Sequence, residues 1–229
     1  MCRPYGVSPR LQSSLSVSGD VFGVTVCDNK LFVVCSNSNS ILVFGPNNKQ
    51  QTNIKLEQVT SPTDIVSCTE TQQLFVAGES RDSRCVWRVS LDGRQVVKWL
   101  PNKSTTTSQF RPYTLSVTSR RLLVTSQDNN ELLLYGADGV ELKRVPLPDT
   151  MTSLQHAVET SRGTFIVSHR EPQPRVCEVN VDGHVTRVYC DQQQLSAPVY
   201  LSLDSDGRIF VADNLKNRVL LLNSETLEL

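Results

Sequence analysis

A short apolar patch recurs five times along the chain at nearly constant spacing. The steps between the first residues of successive patches are 43, 48, 43 and 44 residues. A repeat of roughly 40–50 residues with several short strands per unit is typical of a β-propeller blade. The spacing therefore predicts an all-β propeller. The patches, each predicted to be the second strand of a blade, are Leu31–Val34, Leu74–Ala77, Leu122–Thr125, Phe165–Ser168 and Ile209–Ala212.

The final unit, residues 198–229, shows the order of strands within one repeat most clearly. Pro198 opens a first strand, where its missing N–H does little harm. Gly207 supplies the positive φ of the hairpin turn that follows. A second strand, a polar loop over 213–217, a third strand and the start of a fourth come next. The pattern predicts a four-stranded antiparallel blade.

The other units repeat this order. Pro62 and Pro112 stand where Pro198 does, and turns that contain Gly93, Gly139 and Gly183 precede the predicted fourth strands. The predicted inner strands are 21–26, 62–67, 112–117, 154–159 and 198–203. After an N-terminal leader of residues 1–14, the predicted blades of the domain 15–229 cover approximately 15–57, 58–101, 108–148, 150–191 and 195–229.

The repeat pattern resembles a known family. Pro-x-x-Ile/Leu-x-Val/Leu-Asp, followed by Asp-Gly-x-Ile-Phe-Val-Ala-Asp-x-x-x-x-Arg-Val, is similar to the NHL repeat. Residues 198–223 carry it almost completely, with Asp213 and Arg218 in place, and the other units carry it in degraded form. The resemblance covers roughly residues 15–229. It implies a propeller of the six-bladed NHL type.

Five units are visible where the resemblance implies six. We therefore predict a ring that lacks one blade; a closed ring of five is the alternative, since propellers have about four to eight blades. Residues 15–18 are at most one strand, which would complete the fifth blade or stand as the outer strand of the missing one. We expect uncovered inner faces on the first and fifth blades, with reduced stability and a tendency to self-associate.

The composition argues against a function that depends on the net charge of the chain. Lys plus Arg and Asp plus Glu are 23 each, so no net field steers nucleic acid or an anionic membrane. The seven cysteines include no C-x-x-C pair; most lie in apolar strand patterns and are predicted to be reduced, buried thiols of a cytoplasmic protein. A disulfide framework is the minor alternative. No run approaches the roughly 18 apolar residues of a membrane helix, so no membrane partner is expected.

Catalytic motifs are missing from the sequence. No G-x-S-x-G, H-E-x-x-H, P-loop or G-x-G-x-x-G occurs. The inner strands offer Asp64, His156, Glu159 and Asp204, a set too sparse to argue for a calcium or zinc cage. His156 and His169 could contribute to a two-histidine metal site, but we expect both to be solvated loop residues. We predict no cofactor, no metal and no catalytic residue.

The loops that join second and third strands converge on one end of a propeller. We call this end the loop face; it includes these loops and the adjoining starts of the inner strands. Arginine beside aromatic residues there suits a peptide or single-stranded RNA. A simpler alternative is that Arg218 pairs with Asp213 and the other side chains are solvated. The candidate binding residues are Arg81, Arg84, Tyr113, Gln127, His156, His169, Arg170, Arg175, Tyr200, Asp213 and Lys216.

These observations favour a non-catalytic interaction module that presents the loop face to a protein or peptide. RNA binding through the same face is the alternative, and a metal-dependent hydrolase or lyase at the channel mouth is a third hypothesis. The resemblance implies that such propellers often follow the RING, B-box and coiled coil of tripartite-motif ubiquitin ligases. None of those elements occurs in this sequence, so ligase activity is not assigned to it.

Overall fold

A computed structural model describes residues 14–36, 38–81, 83–100, 111–118, 121–126, 128–190 and 195–228. In these ranges the chain forms five antiparallel sheets that follow one another in sequence. Four sheets have four strands and the fifth has three. The predicted all-β propeller of five blades is confirmed. The described part contains no helix long and apolar enough to cross a membrane.

The strands keep chain order within each blade. Blade one contains β1 (Val21–Cys27), β2 (Lys30–Cys35), β3 (Ser40–Phe44) and β4 (Gln50–Lys55). Blade two contains β5 (Ser61–Cys68), β6 (Gln73–Glu79), β7 (Arg84–Ser90) and β8 (Val96–Leu100). Blade three contains β9 (Thr114–Thr118), β10 (Arg121–Thr125), β11 (Glu131–Gly136) and β12 (Glu141–Pro146). Blade four contains β13 (Thr152–Glu159), β14 (Phe165–Glu171), β15 (Arg175–Val179) and β16 (Val185–Tyr189). Blade five contains β17 (Pro198–Leu203), β18 (Arg208–Asp213), a 3-10 helix (Asn214–Lys216) and β19 (Arg218–Asn223).

The predicted turn glycines lie where the chain needs a positive φ. Gly93, Gly139, Gly183 and Gly207 have φ values of 72°, 85°, 89° and 74°. Glycine adopts this conformation without the steric cost that a Cβ would add. The fourth strand that the sequence predicts after Gly207 does not form within the described residues. The segment 224–228 instead turns back, and the Asn223 N–H donates to the Glu228 carbonyl at 2.8 Å.

The hydrophobic core lies between blades. In blades two to five, the inner strand contributes one residue that packs against the preceding blade. This residue lies at the register position opposite the third residue of the apolar patch. The preceding blade covers these residues, so they are buried at all four interfaces. They are Ile65, Leu115, Ala157 and Leu201, which are 1%, 1%, 1% and 5% exposed. Trp87 and Trp99, predicted to be core residues, are also buried.

The ring of described blades is open between blade one and blade five. Val24 stands at the same inner-strand position in blade one and is 57% exposed. Val219 of β19 is 62% exposed, whereas its counterparts in the other third strands are fully buried. Those counterparts are Ile41, Val86, Leu132 and Val176. The predicted uncovered faces are confirmed, and the alternative of a closed five-bladed ring is wrong.

The segment that follows the leader packs on blade one instead of completing blade five. Leu15 and Val17 contact a small cluster of Val33, Cys35 and Phe44. Residues 14–17 form no strand. The expectation that this segment supplies an outer strand is therefore wrong. The two alternating apolar side chains of this segment pack on the side of blade one that no preceding blade covers.

A buried carboxylate ties blade four to blade five. Glu178 of β15 accepts hydrogen bonds from Arg187 Nε at 2.5 Å and from Thr164 Oγ1 at 2.7 Å. Burial alone would raise the pKa of Glu178, but these bonds and the charge of Arg187 outweigh it and lower the pKa to about 2. Arg162 and Arg187 each also donate to the Ser224 carbonyl at 2.9 Å. The ion pair therefore fixes two arginines that bridge the blades.

Blades one and two approach so closely that only glycine fits at Gly23. A Cβ there would lie 2.8 Å from the Ile65 backbone nitrogen and 3.0 Å from Asp64 Oδ1. We predict that Gly23→Ala destabilises the protein by about 1–3 kcal/mol, because the backbone of β5 must move. Thermal or urea denaturation measures the effect. Gly45→Ala is the matched control, since its new methyl would meet only the flexible Gln51 side chain. Equal losses for the two variants would contradict the close approach.

Candidate functional site

One register position carries a polar side chain in four successive inner strands. It lies immediately before the apolar position that packs on the preceding blade. In blade one the position holds Gly23. We call the four side chains the polar belt: Asp64, Thr114, His156 and Tyr200.

Asp64 and Thr114 join neighbouring blades through the backbone. Asp64 is 4% exposed, and its Oδ2 accepts the Leu115 N–H at 2.7 Å while Oδ1 accepts the Ile65 N–H at 2.8 Å. Thr114 Oγ1 donates to the Gln155 carbonyl at 2.9 Å. Blade two is thus tied to blade three, and blade three to blade four.

His156 and Tyr200 continue these ties. His156 Nε2 donates to the Leu115 carbonyl at 3.1 Å, which places its proton on that nitrogen. The His156 and Tyr200 rings have centroids 5.2 Å apart. The Tyr200 hydroxyl donates to the Thr63 carbonyl at 3.2 Å and so links blade five to blade two. The belt therefore uses its polar atoms largely to hold blades together.

Burial keeps the belt close to neutral. It raises the pKa of Asp64 to about 8, although the two backbone hydrogen bonds oppose this. It lowers the pKa of His156 to about 4 despite the bond to Leu115. Burial also raises the pKa of the Tyr200 hydroxyl. At neutral pH the imidazole and phenol are uncharged and Asp64 is mostly protonated.

Three of the four inner strands that carry the belt change register just before the belt residue. Irregularities separate Pro62 from Asp64, Leu154 from His156, and Pro198 from Tyr200. Such bulges re-aim the next side chain. The belt was not predicted from the sequence, although His156 and Tyr200 were both candidate binding residues. A usable signal was present, because Asp64, Thr114 and Tyr200 each stand two residues after a proline.

A central cavity of about 900 Å³ is lined by all five inner strands. Asp64, His156 and Tyr200 contribute to its wall, together with apolar residues. Among the described residues no group of three or more His, Cys, Asp or Glu side chains is placed to hold a metal ion. The wall also carries buried polar atoms without a hydrogen-bond partner in the described part of the chain, namely Ser116 Oγ, His156 Nδ1 and Glu159 Oε2.

On the loop face, two of the candidate binding residues contact each other. The Arg84 guanidinium lies 5.7 Å from the centre of the Tyr113 ring, within cation–π range. Arg84 also pairs with Glu79 at 2.8 Å. The Tyr113 carbonyl accepts a hydrogen bond from Thr63 Oγ1 at 2.9 Å. This pair is therefore a fixed, half-buried platform between blades two and three.

Asp213 is a structural residue of the loop face. It is 1% exposed, and its Oδ1 accepts the Ala197 N–H at 2.7 Å while Oδ2 accepts the Ser196 N–H at 3.2 Å. Arg218 Nε lies 3.7 Å from Asp213 Oδ2, which confirms the predicted pair. The closer backbone contacts show that Asp213 chiefly orders the segment that leads into β17.

The remaining candidates are spread over the face. Arg81 and Arg170 are exposed, Arg175 and Lys216 are half-buried, and Gln127 lies outside the described residues. His169 is 1% exposed, and its Nδ1 donates to the Glu171 carbonyl at 2.9 Å. The expectation that His156 and His169 are solvated is wrong, because both rings are enclosed by blade packing and bonded to backbone carbonyls.

Comparison with known proteins supports the fold alone. No family model and no curated protein matches the sequence. The WD40 β-propeller domain of Doa1 superposes with a TM-score of 0.67 at 15% identity, covering 94% of this chain and 69% of that one. A chain of the nidogen/laminin complex gives 0.70 at 16% identity, with 90% and 76% covered. A streptogramin B lyase structure gives 0.70 at 13% identity, with 93% and 68% covered.

The belt predicts a pH dependence of stability. Because the folded state raises the pKa of Asp64 from 3.8 to about 8, its stabilising effect is complete below pH 3.8 and is lost as the pH rises towards 8. As the pH rises from 3.8 to about 8, the free energy of unfolding of the native protein should therefore decrease relative to that of Asp64→Asn. Urea denaturation at a series of pH values measures it.

Asp204→Asn is the control for this experiment, because hydrogen bonds from the Arg208 backbone lower the pKa of Asp204. Its effect on stability should therefore appear only in acid, below the window in which Asp64 titrates. Parallel curves for the native protein and Asp64→Asn between pH 4 and pH 8 would contradict a raised pKa for Asp64.

Proposed function

We propose that this NHL-like propeller is a non-catalytic module that binds a protein or peptide through its loop face. The observation that carries the proposal is the charge pairing on that face. Arg84 pairs with Glu79, Arg111 with Asp128 at 3.8 Å, and Arg218 with Asp213. Three cations are thereby compensated, so the face combines mixed charge with an aromatic platform. Such chemistry suits a polypeptide partner, where tyrosine and arginine are frequent anchors.

Three further observations favour binding over catalysis. The polar belt hydrogen-bonds to backbone groups of neighbouring blades, so its side chains serve the architecture. Leu215, at the exposed tip of the loop in blade five, is 73% exposed. An apolar side chain held at a loop tip suits insertion into a partner. One structural neighbour is known from a protein–protein complex.

RNA binding through Arg81 and Arg170 is the alternative. Both are exposed on the loop face, and aromatic rings beside arginines also suit single-stranded RNA. The compensated arginines weigh against it, since affinity for a phosphate backbone grows with each uncompensated cation.

A cytoplasmic location is part of the same proposal. The six cysteines of the described residues carry free thiols, and five of them are buried. Free thiols are typical of a reducing compartment.

The test is selection of peptides from a random library on the immobilised protein, followed by fluorescence anisotropy with the selected peptide. We predict that the double variant Arg81→Glu/Arg170→Glu and the single variant Tyr113→Ala each weaken binding by about tenfold or more, because loss of one anchor costs about 1–2 kcal/mol. Arg94→Glu is the control, since this exposed residue lies in the turn at the opposite end of blade two.

A pool of single-stranded RNA is measured beside the peptide. RNA binding that falls steeply with salt and is lost in Arg81→Glu/Arg170→Glu would replace the proposal with the RNA alternative. Selected peptides whose binding is unchanged in both loop-face variants, or is lost in Arg94→Glu, would place the site elsewhere.

A further inference from the structure

The wall of the central cavity contains three buried polar atoms that the described residues leave unpaired. These atoms are Ser116 Oγ, His156 Nδ1 and Glu159 Oε2. Their residues are 9%, 5% and 5% exposed, and all three line the cavity. Nearly all buried polar atoms in native proteins are hydrogen-bonded, because an unpaired one destabilises the fold. Three such atoms in one wall therefore point to a ligand that forms hydrogen bonds with them.

Ser116 and Glu159 face each other across the contact between blades three and four. They stand at the inner-strand positions that Thr25 and Ser67 hold in blades one and two. The hydroxyls of Thr25 and Ser67 form a hydrogen bond of 2.9 Å, whereas Ser116 Oγ and Glu159 Oε2 do not bond to each other. Blades three and four thus keep two polar groups available at a position where blades one and two form a closed pair.

The two strands that carry the site are fixed to each other. His156 Nε2 of β13 donates to the Leu115 carbonyl of β9 at 3.1 Å. Arg121 of blade three donates to Glu159 Oε1 of blade four at 2.7 Å. These bonds hold the site in place independently of the open side between blades one and five.

The unpaired atoms are mainly hydrogen-bond acceptors. His156 uses its ring proton on the Leu115 carbonyl, so its Nδ1 offers a lone pair. Glu159 Oε2 is a carboxylate acceptor, and the Ser116 hydroxyl both donates and accepts. A ligand at this wall must therefore present more than one O–H or N–H donor.

The charges of the cavity wall are compensated within the described residues. No lysine or arginine of that part of the chain lines the cavity. Glu159 pairs with Arg121 at 2.7 Å, and Asp204 pairs with Arg208 at 2.6 Å. Asp64 is mostly protonated at neutral pH, because burial raises its pKa to about 8. The wall therefore favours a neutral ligand over an anion or a cation.

The rest of the wall mixes hydroxyl and apolar groups. Serine and threonine side chains recur around it, and Val117, Val158 and the Tyr200 ring supply apolar surface. Small-molecule sites combine a mostly apolar lining with a few placed polar groups. A sugar ring matches such a lining, because its hydroxyls lie around its edge and its C–H groups form apolar faces.

We propose that the central cavity binds a neutral sugar of one or two rings, with its hydroxyls on Ser116, His156 and Glu159. The unpaired atoms are covered by the surface of the wall, so binding turns the Ser116 and Glu159 side chains towards the cavity by a change of rotamer. Ser116 and Glu159 lie further along the inner strands than the loop face, so this site is additional to the proposed peptide site and does not depend on it.

Saturation-transfer-difference NMR with the full chain tests the proposal. The probes are glucose, galactose, mannose, N-acetylglucosamine, maltose and sucrose, measured one at a time. We expect at least one of these sugars to bind, and calorimetry then gives its Kd. Glucuronate, a charged counterpart of glucose, should bind about tenfold more weakly than that sugar or not at all, because its carboxylate would be desolvated without a cation to pair with.

Two substitutions test the named atoms. Ser116→Ala should weaken binding of the sugar about three- to tenfold, and Glu159→Gln about tenfold or more, because hydrogen bonds to a charged group are stronger. Ser116→Ala should leave the Tm of the unliganded protein unchanged or raise it, since the hydroxyl that it removes has no partner among the described residues.

Ser126→Ala is the matched control. Ser126 is fully buried outside the cavity, and its Oγ donates to Asn129 Oδ1 at 3.3 Å and accepts the Asp128 N–H at 3.2 Å. This variant should therefore lower Tm and leave the Kd of the sugar unchanged. The loop-face variant Arg81→Glu/Arg170→Glu should also leave this Kd unchanged, which separates the sugar site from the proposed peptide site.

Three results would overturn the proposal. The first is that none of the probe sugars binds. The second is a Kd that is the same in the native protein, Ser116→Ala and Glu159→Gln. The third is that glucuronate binds more tightly than every neutral sugar, because the wall would then select an anion.

Discussion

The structure depends on the contact of each inner strand with the preceding blade. Ile65, Leu115 and Leu201 stand at one register position and are buried by the side chains of the blade before them. Because the side chains of a strand alternate between its two faces, this position also decides where the adjoining residue points. The polar belt occupies that adjoining position, so the apolar contact and the belt are two consequences of one register.

This arrangement separates the roles of the surfaces. The belt bonds to the backbone of neighbouring blades and is close to neutral, so it stabilises the contacts between blades. The loop face carries exposed cations, an arginine–tyrosine platform and an exposed leucine. The open side between blades one and five exposes the apolar side chains of Val24 and Val219. The proposed binding of a peptide therefore involves the loop face.

Much of the fold was predictable because it is local in the sequence. The apolar patches and the turn glycines each reflect a preference of a few residues, and the blades follow from their spacing. The belt was harder to predict, because its position depends on register irregularities in three inner strands, and the sequence signals it only through the proline two residues before Asp64, Thr114 and Tyr200. The burial of His169 was missed for a similar reason: its place at a strand end suggested solvent, while the neighbouring Cys177 and the Glu171 carbonyl enclose it. The place of Leu15 and Val17 depends on which face the ring leaves open, which is a property of the whole ring.

Native-state thiol labelling tests the open ring most directly. Val24→Cys and Val219→Cys are compared with Ile65→Cys and Val86→Cys in a background where the exposed Cys190 is replaced by serine. An open ring predicts fast labelling at positions 24 and 219, near the rate of a free thiol, and labelling at 65 and 86 only through unfolding. Equal protection at all four positions would show that blades one and five cover each other and would contradict an open ring.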